Sequence, residues 1–231
     1  MPAIKKNTGR KVVKGLHISF LCVLLSFAAF ATGQDIPEDK LLIYEVVMLS
    51  FDTTSCPKHG IAISNDTLIA AFRQAATHYP ELCLHKIKLK YGYINTSMAA
   101  LPTVWSVFRH RDKRTYKVII NNNTRKAQTQ LMYAAPFNAR VGVMGHELAH
   151  ILEYTAKSGW QLTWTGIRYL GKNYRRTMER QTDLIAIERG FGWQVYHYSY
   201  FVIYESNISD AYRRKKLDVY LNPEDILKLI N

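Results

Sequence analysis

The chain has 231 residues, 48% of them hydrophobic and 12% aromatic, which excludes a disordered or low-complexity chain and fits one ordinary domain. Lys and Arg number 31 against 18 Asp and Glu, a formal charge of +13 that by itself points to nucleic acid or an anionic surface. The N-terminus changes that count.

Residues 1–15 contain Lys5, Lys6, Arg10, Lys11 and Lys14 and no acid, and Leu16 to Ala31 is an almost unbroken apolar run. Ala31-Thr32-Gly33 follows, with small residues where a signal peptidase reads. A basic segment, an apolar segment and such an exit predict a secretory signal peptide over 1–33, with Gln34 as the mature start. The apolar run is shorter than the roughly 20 residues of a membrane span. Cleavage removes 33 residues, five positive charges and Cys22, leaving 198 residues at +8. Cys56 and Cys83 then lie in an oxidising secreted or periplasmic compartment, where a disulfide is expected, with two buried thiols as the alternative. Genomic nucleic acid ceases to be an expected partner, and no membrane span is expected after cleavage.

Leu41–Leu49 is apolar and β-branched and predicts a buried strand. Phe51–Gly60, with Ser, Thr, Pro and Gly, reads as a loop. Ser64 or Asn65 can cap a helix from Asp66 to about Tyr79, stopped by Pro80. Lys86–Tyr91 alternates polar and apolar as a half-buried strand does, and Thr115–Asn121 is a third strand before a turn at Asn122 and Asn123. Asn138 is a good N-cap for a helix from Ala139 to about Lys157, closed by Ser158-Gly159. A second helical stretch follows, broken near Gly171, its later part running from about Tyr174 to Arg189 with Gly190 as terminator. A tyrosine-rich segment and a short helix after Pro223 end the chain. Strands and a helix followed mostly by helices predict an α+β fold, with residues 34–231 as a single domain.

Residues 146–150 read His-Glu-Leu-Ala-His. Four apart on a helix, His146 and His150 project from one face and can reach one zinc ion (Zn2+). Glu147, on the adjoining face, is then placed as general base for a zinc-activated water. The flanking Val143, Met144, Leu148, Ile151 and Leu152 suit a half-buried helix. A longer metal signature with a third histidine is excluded, because Glu153 and Ala156 stand where Gly and His would be needed. Downstream, Glu179 and Asp183 are again four apart, so one carboxylate can ligate the metal while the other accepts an imidazole N–H. Asp183 itself, His197 and Glu188 are the other candidates for the third ligand. The opposing interpretation is a solvated helix face on which Glu179 and Asp183 pair with Arg175, Arg176 or Arg180.

Between about Asn138 and Gly192 the chain resembles the gluzincin group of zinc metallopeptidases, which pair HExxH with Glu-x-x-x-Asp on a following helix. The spacing from His150 to Glu179 leaves the family within that group unassigned. The resemblance implies a zincin-like fold: a small N-terminal sheet with a helix packed on it, the HExxH helix, then a mostly helical C-terminal part. It implies Glu179 as third ligand and Asp183 as partner of His146.

A peptidase of this type binds its substrate as an added strand, and Thr115–Asn121 is the expected edge. His197 and Tyr212 are the candidate oxyanion donors. The basic clusters Arg109–Arg114, Arg175–Arg176 and Arg213–Lys216 read as solvated faces, with anionic envelope contacts left open. The expected protein is thus a monomeric, exported zinc peptidase acting on peptides or proteins. The alternatives are a zinc amidase acting on a cell-wall amide and a catalytically inactive zinc-binding or structural envelope protein.

Overall fold

In the computed structural model, residues 33–50, 56–123, 125 and 127–231 are described. The signal-peptide prediction, apart from Gly33, lies outside them. The described part opens on a short helix α1 (Tyr44–Ser50), then β1 (His59–Ala62), α2 (Asp66–Ala76), β2 (Lys86–Gly92), β3 (Met98–Pro102) and β4 (Thr115–Asn121). Helices follow: α3 (Ala127–Ala134), α4 (Phe137–Ala156), α5 (Gly159–Tyr169), α6 (Lys172–Ala186), α7 (Gly192–Tyr200), α8 (Asp210–Val219) and α9 (Pro223–Ile230). The architecture is α+β, with a small four-stranded sheet and a mostly helical C-terminal part. Among the described residues no helix is long and apolar enough to cross a membrane.

The sheet runs β1-β2-β4-β3, with β1, β2 and β4 parallel and β3 antiparallel to β4. In β2 the pattern is plain: Ile87 and Leu89 are fully buried, while Lys86, Lys88 and Lys90 are exposed. One face of the sheet therefore carries the core, the alternation expected of a sheet covered on one side. Leu68 and Phe72 from α2, Tyr116, Val118 and Ile120 from β4, and Met144, Leu148 and Ile151 from α4 fill that core. Asn65 caps α2, its side chain accepting from the Leu68 amide at 2.9 Å.

Four expectations are corrected. Residues 44–49 of the expected first strand fall in the helix Tyr44–Ser50. A short apolar run is ambiguous between helix and strand, and here the Asn138 side chain takes both Leu42 backbone groups, N–H at 3.0 Å and C=O at 2.9 Å, as a strand partner would. Asn138 is therefore buried inside the first turn of α4 instead of capping it, and Pro136 stands at the cap position. Ser158 does not close α4; with Gln161 it forms a reciprocal capping box that starts α5. The expected loop through Gly60 also gives way to β1 at His59.

The end of α4 is held by Arg114, only 3% exposed, whose guanidinium donates to the carbonyls of Lys157 at 2.6 Å and Tyr154 at 3.4 Å. A residue of an expected solvated cluster is thus a buried helix cap. Gly190, at φ +91°, lets the chain turn from α6 into α7 through a wide turn over Ile187–Phe191, a conformation few side chains tolerate.

Helices α4 and α7 meet without side chains between them at Gly142. A Cβ there would lie 2.1 Å from the Gln194 carbonyl oxygen. Overpacking against side chains costs about 1–3 kcal/mol, and backbone cannot swing aside. Gly142→Ala is therefore expected to destabilise by about 3 kcal/mol or more, visible as a lower urea midpoint; an unchanged midpoint contradicts so close a crossing.

Cys56 and Cys83 are bridged, 27 residues apart. Closing a loop of that length in the unfolded chain stabilises by about 3–4 kcal/mol. Reduction is expected to lower stability by that amount, measured by denaturation with and without reductant.

Candidate metal centre

Helix α4 is buried all round from Val141 to Ile151, and within that stretch it presents His146, Glu147 and His150, each about 6–7% exposed. Helix α6 crosses alongside and brings Glu179, 2% exposed, onto the two imidazoles. Glu179 Oε2 lies 3.1 Å from His146 Nε2 and 3.3 Å from His150 Nε2. One donor atom from each of the three residues falls within 4.8 Å of the others.

Each of the three is oriented from behind. His146 Nδ1 faces Asp183 Oδ1 at 2.8 Å, and Asp183 Oδ2 accepts the Leu221 amide at 3.0 Å. His150 Nδ1 faces Thr182 Oγ1 at 3.1 Å, and that hydroxyl also lies 3.1 Å from Glu153 Oε2. The Tyr169 hydroxyl donates to Glu179 Oε1. Hydrogen bonds of this kind fix the tautomer and direction of metal-binding side chains.

The charges are telling. Burial pulls the His146 pKa down, but Asp183 and Glu179, one at each ring nitrogen, outweigh it and hold the imidazole up to about 10. Burial pushes the Glu179 carboxyl up, yet the two histidines hold it well below its usual range. A buried carboxylate oxygen facing two Nε2 atoms asks for positive charge at their common point. A His2Glu set is one that zinc accepts, with an open position left for water or substrate. The residues present therefore fit a zinc ion.

Glu147 stands apart from the three. Among the described residues it makes no hydrogen bond or ion pair, and burial pushes its carboxyl pKa up. It lines two adjoining cavities. The larger, about 650 Å3, is a cleft between β3 on one side and α5 on the other, with His150, Glu179, Tyr169 and Tyr220 along its floor and walls. The smaller lies on the other side of Glu147 and His146 and is closed by α7 and α8.

The strand along the cleft is β3, not the expected Thr115–Asn121. Strand β4 sits inside the sheet between β2 and β3, and the missed segment Met98–Pro102 forms the edge. His197 and Tyr212 line neither cavity. His197 lies on α7, its pKa lowered by burial, and Tyr212 belongs to a separate core cluster with Leu131, Phe201 and Ile208. Tyr220 stands beside the cluster instead. Its ring is 5.7 Å from that of His146, it borders both cavities, and burial keeps its hydroxyl protonated. Glu188 is exposed, and both Asp183 oxygens are engaged, so neither faces the cluster. Arg176 pairs with Asp218, not with Glu179.

No family model, curated protein or solved structure matches this chain.

Proposed function

We propose that this chain is an exported, zinc-dependent metallopeptidase with a zincin-like fold. The observation that carries the reading is the convergence of His146, His150 and Glu179, each with its own orienting partner, at the floor of a cleft bordered by a free strand edge. His146, His150 and Glu179 would hold the zinc. Zinc bound there supplies a Lewis acid and makes hydroxide accessible at neutral pH.

The remaining work falls to the chain itself. β3 offers its unpaired backbone groups to an extended peptide, which adds as a further strand. Glu147 takes a proton from the attacking water on its carboxylate and delivers it to the leaving amine nitrogen. The Tyr220 hydroxyl, which among the described residues makes no hydrogen bond, donates to the oxyanion that develops on the peptide carbonyl. Exposed Phe108 lines the cleft with Val104 and Leu101, apolar surface suited to side chains of a bound peptide.

Metal analysis and a substrate panel test the reading together. Protein purified without chelator is expected to carry about one zinc per chain and to cleave unstructured peptides, with both lost on chelation and restored by zinc. Zinc with hydrolysis of non-peptide amides alone turns the assignment to an amidase. Absence of bound metal turns it to an inert scaffold.

A further inference from the structure

The smaller cavity contains a cation that the proposed reaction does not use. Lys216, on α8, points its ammonium at three tyrosine rings: 3.9 Å from the centroid of Tyr220, 5.8 Å from Tyr212 and 5.9 Å from Tyr198. Among the described residues it makes no ion pair and no hydrogen bond. The carboxylates of its own helix are taken: Asp210 pairs with Arg213, and Asp218 with Lys172 and Arg176. Burial favours the neutral amine, but the more distant carboxylates of Glu179 and Glu147 help keep the side chain charged. Ring faces attract an ammonium but offset only part of its lost hydration. No carboxylate among the described residues comes within ion-pairing distance of this buried ammonium, so its N–H donors are left for an anion that can reach it.

Its position says which anion. The cavity is lined by Lys216, Tyr198, Ser97, Val143, His146 and Glu147, so it opens beside the proposed general base. A single ring, Tyr220, touches both His146 and the Lys216 ammonium. The space left for the centres of water-sized atoms is about 50 Å3. At about 10–15 Å3 for one water on that measure, this is room for about four such atoms, the size of a CH2–COO− group. Asp183, whose oxygens are taken by His146 and the Leu221 amide, and Ser199 also line the cavity, and Val195, Val202 and Ile203 make the rest apolar.

We propose that Lys216 and its tyrosine box form a subsite for a carboxylate of the substrate, carried next to the bond that is cut. The identity of the carrier as a peptide rests on the peptidase reading; the anion site does not. The carboxylate comes either from an acidic side chain or from a free C-terminus, and both present the same group to the ammonium.

The test reads Lys216 directly. Zinc-loaded protein labelled with 15N in its lysine side chains is titrated with three capped amino acids, and the Nζ signal is assigned by its loss in Lys216→Met. N-acetyl-glutamate α-amide offers only a side-chain carboxylate, N-acetyl-glutamine only a terminal one, and N-acetyl-glutamine amide neither. A saturable shift with the first or second probe and not with the third is the expected result, and the responding probe names the source. No saturable shift, or the same shift with all three, overturns the proposal. In parallel, peptides with the responding carboxylate are expected to be cleaved about 10–100-fold faster than their amide counterparts. Lys216→Met is expected to abolish that preference while still cleaving the amides. A ratio near one in the wild type overturns the subsite as a determinant of specificity and leaves the peptidase reading intact. Failure to cleave any peptide, with the Nζ shift present, removes the peptidase reading and leaves the anion site.

Discussion

Glu147→Gln is expected to lower kcat for peptide hydrolysis by about 10²–10⁴-fold, the range for losing a positioned general base, with zinc content unchanged. The substitution keeps the side chain's shape and removes only its ability to take up a proton. Glu147 is not one of the three side chains whose donor atoms converge, so the metal should be held as before. Nor should folding suffer. Burial raises the Glu147 pKa, so in the zinc-free protein ionisation works against the folded state. That loss sets in as pH rises through the unfolded carboxyl pKa and is complete above the raised folded one. A neutral glutamine does not incur it, so the zinc-free variant is expected to melt no lower than wild type at pH 7 and to converge with it in acid. Full hydrolytic activity in the variant rules Glu147 out as the base.

The elements read well from the sequence are those whose local chemistry and tertiary surroundings agree. Lys86–Tyr91 and Thr115–Asn121 alternate or run apolar as their place in the sheet requires, and Asn65 and Pro80 bracket α2. The failures share a cause, which is that pairing partners decide between conformations of similar intrinsic cost. Met98–Pro102 has two alanines and a proline and little strand propensity, but β4 offers it an open edge, and Pro102 closes the pairing. Leu41–Leu49 has strong strand propensity and, among the described residues, no strand paired with it; the Asn138 amide takes the Leu42 backbone and the chain continues as helix. The edge proposed to take a peptide is thus the strand with the weakest signal.

At the site the same division holds. His146, Glu147 and His150, and Glu179 with Asp183, are four-residue patterns, and a helix turns such a pattern into a shared face without help. Their partners come by packing. Thr182 and Glu153 meet at His150 from two helices, Tyr169 arrives on α5, Lys216 comes from α8 and Tyr220 from just beyond its end. Only Glu153, three residues after His150, had a spacing that could have marked it. Helix α5 also accounts for the long interval between His150 and Glu179: it forms the far wall of the cleft and carries the tyrosine that fixes Glu179.

Glu179→Gln compared with Asp183→Asn separates a ligand from the group that orients one. Both substitutions replace a buried carboxylate by an amide of the same shape in the same helix. Asp183 touches no common point; one oxygen holds His146 Nδ1 and the other the Leu221 amide. Loss of such a partner typically costs 10–100-fold in metal affinity, and that is the expectation for Asp183→Asn, with zinc still bound at high concentration. Glu179 Oε2 instead lies within hydrogen-bonding reach of both Nε2 atoms. Glu179→Gln removes the one negative charge at that point and puts an amide where an anionic oxygen stood, while Oε1 can still accept from Tyr169. Its zinc affinity is therefore expected to fall further than that of Asp183→Asn, measured by chelator competition, and its thermal shift on adding zinc to vanish at concentrations that still stabilise the other variant. The order of the two variants is the decisive quantity. If Glu179→Gln holds zinc as tightly as Asp183→Asn, the carboxylate facing the two imidazoles is an ion-pair partner and not a ligand.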